Sequence, residues 1–232
     1  MLSNSLNLDI TVNPDYSQVE EDRQVTNLDR FELYFPERRQ FFIENSDLFA
    51  NLGNAGARPF FSRRIGLNVP VNAGMRLSGK LGDKLRIGLM DMQTGARDLI
   101  PAGNYFVAVM QQQVFSRSSI SAFVVNKQVT GTVSDSAYNG LSYNRVAGLE
   151  YNLASPDSRW TGKAFYHRAF YTGASSGAAA ASGNINFSSK DVKATMTGSW
   201  VGADYISEVG YIRRTGYYEM TPTLNYTMYP SS

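Results

Sequence analysis

The stretch LRIGLMDMQT, residues 85–94, starts with a strict alternation of residue type, a pattern that is typical of a β-strand. Leu85, Ile87 and Leu89 project to one side of a strand, whereas Arg86 projects to the other. In a half-buried soluble strand the apolar side faces the core, and in a membrane barrel it faces lipid. The stretch therefore predicts a β-strand, and the rest of the chain has to decide between the two environments.

The composition favours strands and tight turns over helices. The 232 residues include 14 Tyr, 13 Phe and 20 Gly, which are residue types typical of strands and of turns. Lys and Arg number 22 against 20 Asp and Glu, so we expect no nucleic-acid partner. Because the chain has no Cys and one His, thiolate metal sites and disulfides are excluded, and we expect neither a metal nor a cofactor.

Alternating segments recur along most of the chain. They are mostly about ten residues long, which is typical of transmembrane strands, whereas soluble strands usually have about five or six residues. Short polar turns and longer loops broadly alternate between them. We therefore predict an all-β fold, an antiparallel transmembrane-type β-barrel, with strands at 72–82, 84–94, 104–115, 118–128, 143–153, 159–171, 181–189, 192–205, 207–216 and 220–230.

Two of these segments place ionisable residues opposite an apolar side. Glu150 alternates with Leu149 and is expected to face a lumen. Lys163 and His167 lie on the parity opposite Tyr166. We interpret the lone His167 as an ordinary wall residue, because no sequence motif here supports a catalytic triad.

A charged region, residues 1–66, precedes the barrel strands that we assign to residues 67–232. Its paired carboxylates are compatible with glycoside hydrolysis, and clustered oxygens suit a hard cation such as calcium. Arg residues are interleaved with the acids, however, and no EF-hand spacing occurs. Residues 1–66 are expected to lead into the barrel. We favour a structural salt-bridge network that anchors this segment within a polar lumen.

Three motifs carry a family resemblance: NPDYSQVEEDRQVTNLDRFELYFPERRQFFIENSDLF (13–49), PFFSRRIG (59–66) and NYFVAVMQQQVFSRSSISAFVVNKQ (104–128). Together they resemble the DUF5916 family of Bacteroidota envelope proteins, often labelled carbohydrate-binding family 9 domain-containing proteins. The resemblance implies an outer-membrane β-barrel that, in longer members, follows a signal peptide and a sugar-binding β-sandwich. The chain is then expected to be a partial barrel fragment, with outer-membrane lipid as its partner and glycan reached through the missing domain.

The resemblance supplies no established catalytic residues. We therefore expect a non-enzymatic outer-membrane segment linked to glycan or nutrient binding or uptake. The alternatives are a carbohydrate-active hydrolase that uses N-terminal carboxylates, and a soluble β-sandwich that binds a ligand. The charged positions within the motifs form the candidate functional or structural cluster, namely Asp15, Glu20, Asp22, Arg30, Glu37, Arg38, Arg39, Glu44, Arg63 and Arg64.

Overall fold

A computed structural model describes residues 6–15, 33–131, 138 and 140–228 of the chain. Strands dominate these residues, and helix is confined to three short turns. The all-β part of the prediction is confirmed. In chain order the elements are β1 (Leu6–Val12), α1 (Gln40–Ile43), α2 (Asp47–Ala50), β2 (Ala57–Arg58), a 3₁₀ turn (Ser62–Arg64), β3 (Val71–Leu81), β4 (Leu85–Thr94), β5 (Gly103–Val114), β6 (Ser118–Val129), β7 (Tyr143–Ala154), β8 (Trp160–Phe170), β9 (Ala179–Ser188), β10 (Val192–Val201), β11 (Tyr211–Ile212) and β12 (Tyr217–Tyr226).

Ten of the strands form one antiparallel sheet in the order β1-β3-β4-β5-β6-β7-β8-β9-β10-β12. Apart from β2 and β11, strands that follow each other in sequence are neighbours in the sheet, as in a meander of hairpins. β1 and β12 form the two edges. Within the described ranges these edges do not pair with each other, so the sheet is open rather than closed into a barrel.

The tight turn between β3 and β4 shows how local sequence sets the hairpin order. Gly82 has a φ of +70°, a conformation that side chains with a Cβ rarely adopt. Leu81 and Leu85 pair directly across this turn. The turn therefore sets the register of the whole hairpin, because a slip of one residue would exchange its two faces.

Nine of the predicted strand segments coincide with strands of the large sheet, and two differences stand out. The prediction of a sheet strand at 207–216 is wrong, because Tyr211 and Ile212 instead pair with β2 in a separate two-stranded sheet. The prediction also missed β1, although its sequence LNLDITV alternates. β1 pairs with β3 along its full length. The division of the chain at residue 66 stays a prediction.

The two faces of the large sheet are occupied differently. The inner face carries Arg76, Met90 and Glu150, and the outer face carries Leu89 and Leu149. The opening alternation therefore holds in three dimensions: Leu89 is exposed on the outer face, whereas Met90, next to it, is buried on the inner face. Only the inner face is covered by other parts of the described chain.

Two segments cover the inner face and complete the core. The first, residues 33–66, is called here the inserted segment, and the second is residues 202–212. Aromatic and aliphatic side chains of both segments pack on the central strands, where each fully buried large side chain contributes about 1.5–3 kcal/mol. The buried cluster includes Phe42, Phe49, Phe60 and Ile65 of the inserted segment, Met92, Val107, Val125 and Val146 of the sheet, and Tyr205 and Val209 of the second segment.

The helices are single turns that shape the inserted segment. α1 and α2 have four residues each. Asn45, with a φ of +48°, lies between them and prevents one continuous helix. Within the described ranges, no helix combines the length and the apolar composition needed to cross a bilayer.

Gly148 on β7 is expected to be required for packing, and Gly183 on β9 is its control. A Cβ at Gly148 would lie 2.6 Å from the His167 ring and 2.7 Å from Phe123, whereas a Cβ at Gly183 would meet nothing within 4 Å. Gly148→Ala should lower the free energy of unfolding by about 1–3 kcal/mol through overpacking. Gly183→Ala should leave it nearly unchanged. Urea titrations followed by tryptophan fluorescence measure both, and equal losses would contradict the packing assigned to the inner face.

Candidate functional site

The predicted N-terminal cluster forms in part, around an ion pair between Glu37 and Arg39. Glu20, Asp22 and Arg30 lie outside the described residues. The Arg39 guanidinium donates to both carboxylate oxygens of Glu37, with Nη2 2.8 Å from Oε2 and Nε 2.9 Å from Oε1.

Arg39 ties the start of the inserted segment to its end. Nη1 lies 2.7 Å from the carbonyl oxygen of Ile65, and Nη2 lies 2.7 Å from that of Ser62. The Ser62 hydroxyl in turn donates to Glu37 Oε2 at 2.6 Å. The pair therefore holds two stretches about 25 residues apart in a closed loop.

The remaining Arg residues of the cluster make further contacts with backbone. Arg63 donates to the carbonyl oxygen of Pro36 at 2.9 Å, and Arg64 donates to that of Gly210 at 3.1 Å. The backbone N–H of Arg38 donates to Glu37 at 3.0 Å. These contacts gather the cluster at the ends of the inserted segment.

The other two described members of the cluster lie on the surface. Glu44 follows α1 and accepts a hydrogen bond from Gln40 at 2.6 Å, and Asp15 is exposed shortly after β1. The contacts seen for Glu37 and Arg39 are those of an anchoring ion pair. The chemical role of the ten residues as a set stays a prediction.

The electrostatics of Glu37 suit an anchor. Burial by itself raises the pKa of its carboxyl, but the hydrogen bonds and the charge of Arg39, together with the Ser62 hydroxyl, outweigh that effect and lower the pKa. Glu37 is therefore ionised at neutral pH, with both oxygens engaged by donors. A general acid would require the opposite shift.

A second constellation, which the sequence did not assemble, lies at the centre of the inner face. Glu150 on β7 and Lys163 and His167 on β8 form what we call the Glu150 cluster. His167 Nε2 is 3.0 Å from Glu150 Oε1, and Lys163 Nζ is 2.8 Å from Glu150 Oε2. Glu150 is 4% exposed and His167 is fully buried. Buried charges at this depth are stable only when paired and hydrogen-bonded.

The partner of the Glu150 cluster is the backbone of the inserted segment. The N–H of Gly53 donates to Glu150 Oε1 at 2.6 Å. Lys163 Nζ donates to the carbonyl oxygens of Asn51 and Gly53 at 2.6 and 2.7 Å. One carboxylate and one ammonium group thus hold three consecutive residues, 51–53, on the wall of the sheet.

Aromatic rings surround the imidazole of His167. The Phe165 ring stacks on it at 4.2 Å, and the Phe123 ring meets it edge-on at 4.9 Å. Tyr205 Oη lies 3.5 Å from His167 Nδ1, which is long for a hydrogen bond. A Tyr-His-Glu order could relay a proton, but all three side chains are buried. The arrangement is that of a buried cluster that anchors the inserted segment to the sheet.

Two further polar side chains bind covering segments to the inner face. Asn144 donates to the carbonyl oxygen of Ile206 and accepts from the N–H of Glu208, both at 3.0 Å. Arg76 pairs with Asp9 at 2.7 Å and donates to the carbonyl oxygen of Phe41. In the sequence, such an anchor is indicated by a polar residue at a strand position whose side chain lies on the inner face of the sheet. Of the anchors Glu150, Asn144 and Arg76, the sequence pattern predicted a lumen-facing position for Glu150.

A polar cleft of about 380 Å³ opens beside the Glu150 cluster, against α2. Arg86 projects into this region and pairs with Asp47 at 2.6 Å, and it also donates to Gln111. Ser119 and Asn152 contribute a hydroxyl and an amide. Among the described residues, no group of three or more His, Cys, Asp or Glu side chains is placed to hold a metal ion.

Comparison with known proteins gives one match. Residues 2–84 match a family model described as a domain of unknown function, DUF5916. This match confirms the family seen from the sequence motifs, over the first part of the chain. No curated protein and no solved structure matches the chain.

Removing the charge of Glu150 is expected to release the inserted segment. Glu150→Gln leaves the partly buried Lys163, whose side chain is 21% exposed, without its counter-ion, so the loss of stability should be below the about 3–5 kcal/mol that breaking a fully buried pair costs. The free energy of unfolding and the rate of proteolysis near residues 51–53 measure the effect. Glu44→Gln is the matched control, because its carboxylate is exposed, and it should change stability by less than about 0.5 kcal/mol. Equal effects of the two variants would contradict the anchoring role.

The Glu37–Arg39 pair is expected to make stability pH-dependent. Because the folded-state pKa of Glu37 is lowered, its contribution is full above the unfolded value of about 4.3 and is lost as pH falls through the folded pKa. The stability difference between the wild type and Glu37→Gln should therefore shrink as pH falls below about 4.3. Urea titrations between neutral and acid pH measure it, and a constant difference would contradict the assignment.

Proposed function

From the two faces of the sheet we propose that the chain, whose residues 2–84 match the DUF5916 family model, is a wall segment of an outer-membrane β-barrel. The observation that carries the proposal is a row of apolar residues that crosses all ten strands on the outer face. The row follows the strand registers through Leu6, Gly79, Ile87, Met110, Ala122, Leu149, Tyr166, Ala181, Trp200 and Tyr218.

The neighbouring row on the inner face has the opposite chemistry. This row is offset by one residue along each strand from the apolar row. Eight of its nine members are polar or charged, and the exception is Phe165. This row runs through Lys80, Arg86, Gln111, Ser121, Glu150, Phe165, Ser182, Ser199 and Glu219.

This contrast separates the membrane proposal from the soluble alternative. A soluble sandwich covers its apolar row and leaves the polar row in water. Here the polar row lies toward the inserted segment, whereas Leu149 is 62% exposed and Tyr218 is 71% exposed. Apolar surface that extends over ten strands far exceeds the patches usual on soluble monomers. Lipid is the solvent that makes it favourable.

Polar residues at one end of the strands indicate where the apolar band stops. Asp91, Asn126 and Arg145 lie on the outer face near the ends of β4, β6 and β7 that point away from the β5–β6 turn. Arg145 donates to the side chain of Asn126 at 3.0 Å. Such a polar border is expected at the level of the lipid headgroups.

The partners and role follow from the two faces as part of the same proposal. The outer face contacts outer-membrane lipid, and the inner face offers hydroxyl, amide and charged groups to hydrophilic molecules. This inner chemistry supports a role in nutrient or glycan binding or uptake at the cell surface. In lipid the backbone groups of β1 and β12 require partners, so the proposal includes pairing of both edges in the complete barrel.

Adjacent residues on β9 test the membrane proposal at the same depth. Ile185 lies on the outer face between Gly183 and Phe187, and Asn186 lies on the inner face. Ile185→Lys places a charge in lipid and should weaken folding into liposomes by about 2–4 kcal/mol. Asn186→Lys should fold as the wild type does.

Liposome flotation and heat-modifiable electrophoretic mobility measure this folding. A soluble β-sheet protein would instead fold in plain buffer without vesicles, and the two Lys variants would then show no dependence on lipid. That result would overturn the proposal.

A further inference from the structure

The inner face of β9, β10 and β12 carries an unusual patch of uncharged polar residues. Two adjacent rows cross these three strands, and every member is an Asn or a Thr. Asn184, Thr197 and Thr221 form the first row, and Asn186, Thr195 and Thr223 form the second. We call these six residues the Asn-Thr patch.

The Asn-Thr patch faces the same side as the inserted segment but is not covered by it. Ser182, on the same parity of β9, accepts a hydrogen bond from Asn54 of the inserted segment at 3.2 Å. Further along these strands Asn184, Thr221 and Thr223 are exposed. The inner faces of the central strands, by contrast, are packed under aromatic side chains such as Phe49.

A cleft separates the inserted segment from this wall. Its volume is about 460 Å³, and Asn54 and Gly56 line one side while Ser199 and Tyr217 line the other. The charged groups of its lining have both signs, because it includes Arg213, Arg214 and Glu219. The cleft borders the patch, because Ser199 and Glu219 lie one row away from Thr197 and Thr221 on the same face of β10 and β12.

The opposite face of the same three strands is apolar. A groove of about 720 Å³ there is lined chiefly by aromatic and aliphatic side chains, among them Trp160, Ile185, Phe187, Met196, Pro222 and Leu224. Thr195 and Thr223 of the patch also border this groove, and its other lining residues are apolar. In a membrane, one face would contact lipid and the other would contact water.

From this arrangement we propose that the Asn-Thr patch is one wall of a water-filled passage for small neutral hydrophilic solutes such as sugars and polyols. The inference rests on the proposed membrane location. Hydroxyl and amide groups both donate and accept hydrogen bonds, so they replace the hydration of such solutes. Because the patch itself carries no charge, its wall gives no strong preference for cations or anions.

The charges nearest the patch on the inner face of these strands lie at its two ends. Lys193 follows on β10 beyond Thr195, and Glu219 precedes Thr221 on β12. Glu219 accepts a hydrogen bond from the Thr221 hydroxyl at 3.3 Å. On the neighbouring strand β8, Lys163 pairs with Asn184, but its ammonium group is paired with Glu150. The patch itself is therefore uncharged, and the cation beside it is neutralised, which fits uncharged solutes better than ions.

The experiment uses the complete barrel that contains this chain, with both edge strands paired, in proteoliposomes and planar bilayers. Vesicles containing the protein should swell in isosmotic sucrose several-fold faster than protein-free vesicles. In a KCl gradient the wild type should show a reversal potential close to zero. Thr197→Asp should shift the potential toward cation preference and Thr197→Lys toward anion preference, whereas the neutral control Thr197→Asn should leave it unchanged.

Flotation of the same vesicles distinguishes the two proposals. Protein that floats with the vesicles but leaves them impermeable to sucrose would overturn the passage and leave the membrane location intact. Permeable vesicles whose ion preference is the same in Thr197→Asp and Thr197→Lys would overturn the placement of the passage at this wall. Protein that does not float would overturn the membrane location, and the passage with it.

Discussion

The buried carboxylate of Glu150 is the interaction on which the described structure depends most. It lies between two cationic or polar groups of the next strand, Lys163 and His167, and accepts the backbone N–H of Gly53. A charge at this depth is unfavourable unless all its lone pairs are engaged. The sheet supplies only part of the hydrogen-bond donors that Glu150 needs. The inserted segment therefore has to dock on the inner face to supply the rest.

Docking of the inserted segment explains why the inner face is divided. Phe49 packs over Gly88, where a Cβ would lie 2.7 Å from its ring, so the central strands carry small and apolar residues beneath it. Beyond the reach of the segment, the inner face of β9, β10 and β12 turns to Asn and Thr. The inner face of the sheet thus changes from small and apolar residues to Asn and Thr at the edge of the region that the inserted segment covers.

The alternation of residue type predicted most of the sheet, because a period of two is a local property of each strand. It failed at 207–216, where Val209 and Tyr211 bury against the inserted segment instead of joining the sheet. Within the predicted polar cluster, the pair of Glu37 and Arg39 is close in sequence and could be anticipated. The contact from Glu150 to Gly53 spans 97 residues and uses a backbone N–H, which carries no residue-type signal.

The sequence by itself determined an all-β chain, the two faces of its strands and the DUF5916 family of its first part. These follow from residue type, spacing and motif order, which need no knowledge of distant contacts. The tertiary structure decided which face of the sheet is covered, which carboxylate is an anchor and which polar part of the inner face stays open. Those outcomes depend on where residues 33–66 and 202–212 dock, and docking is set by long-range pairing of buried polar groups that the local pattern does not encode.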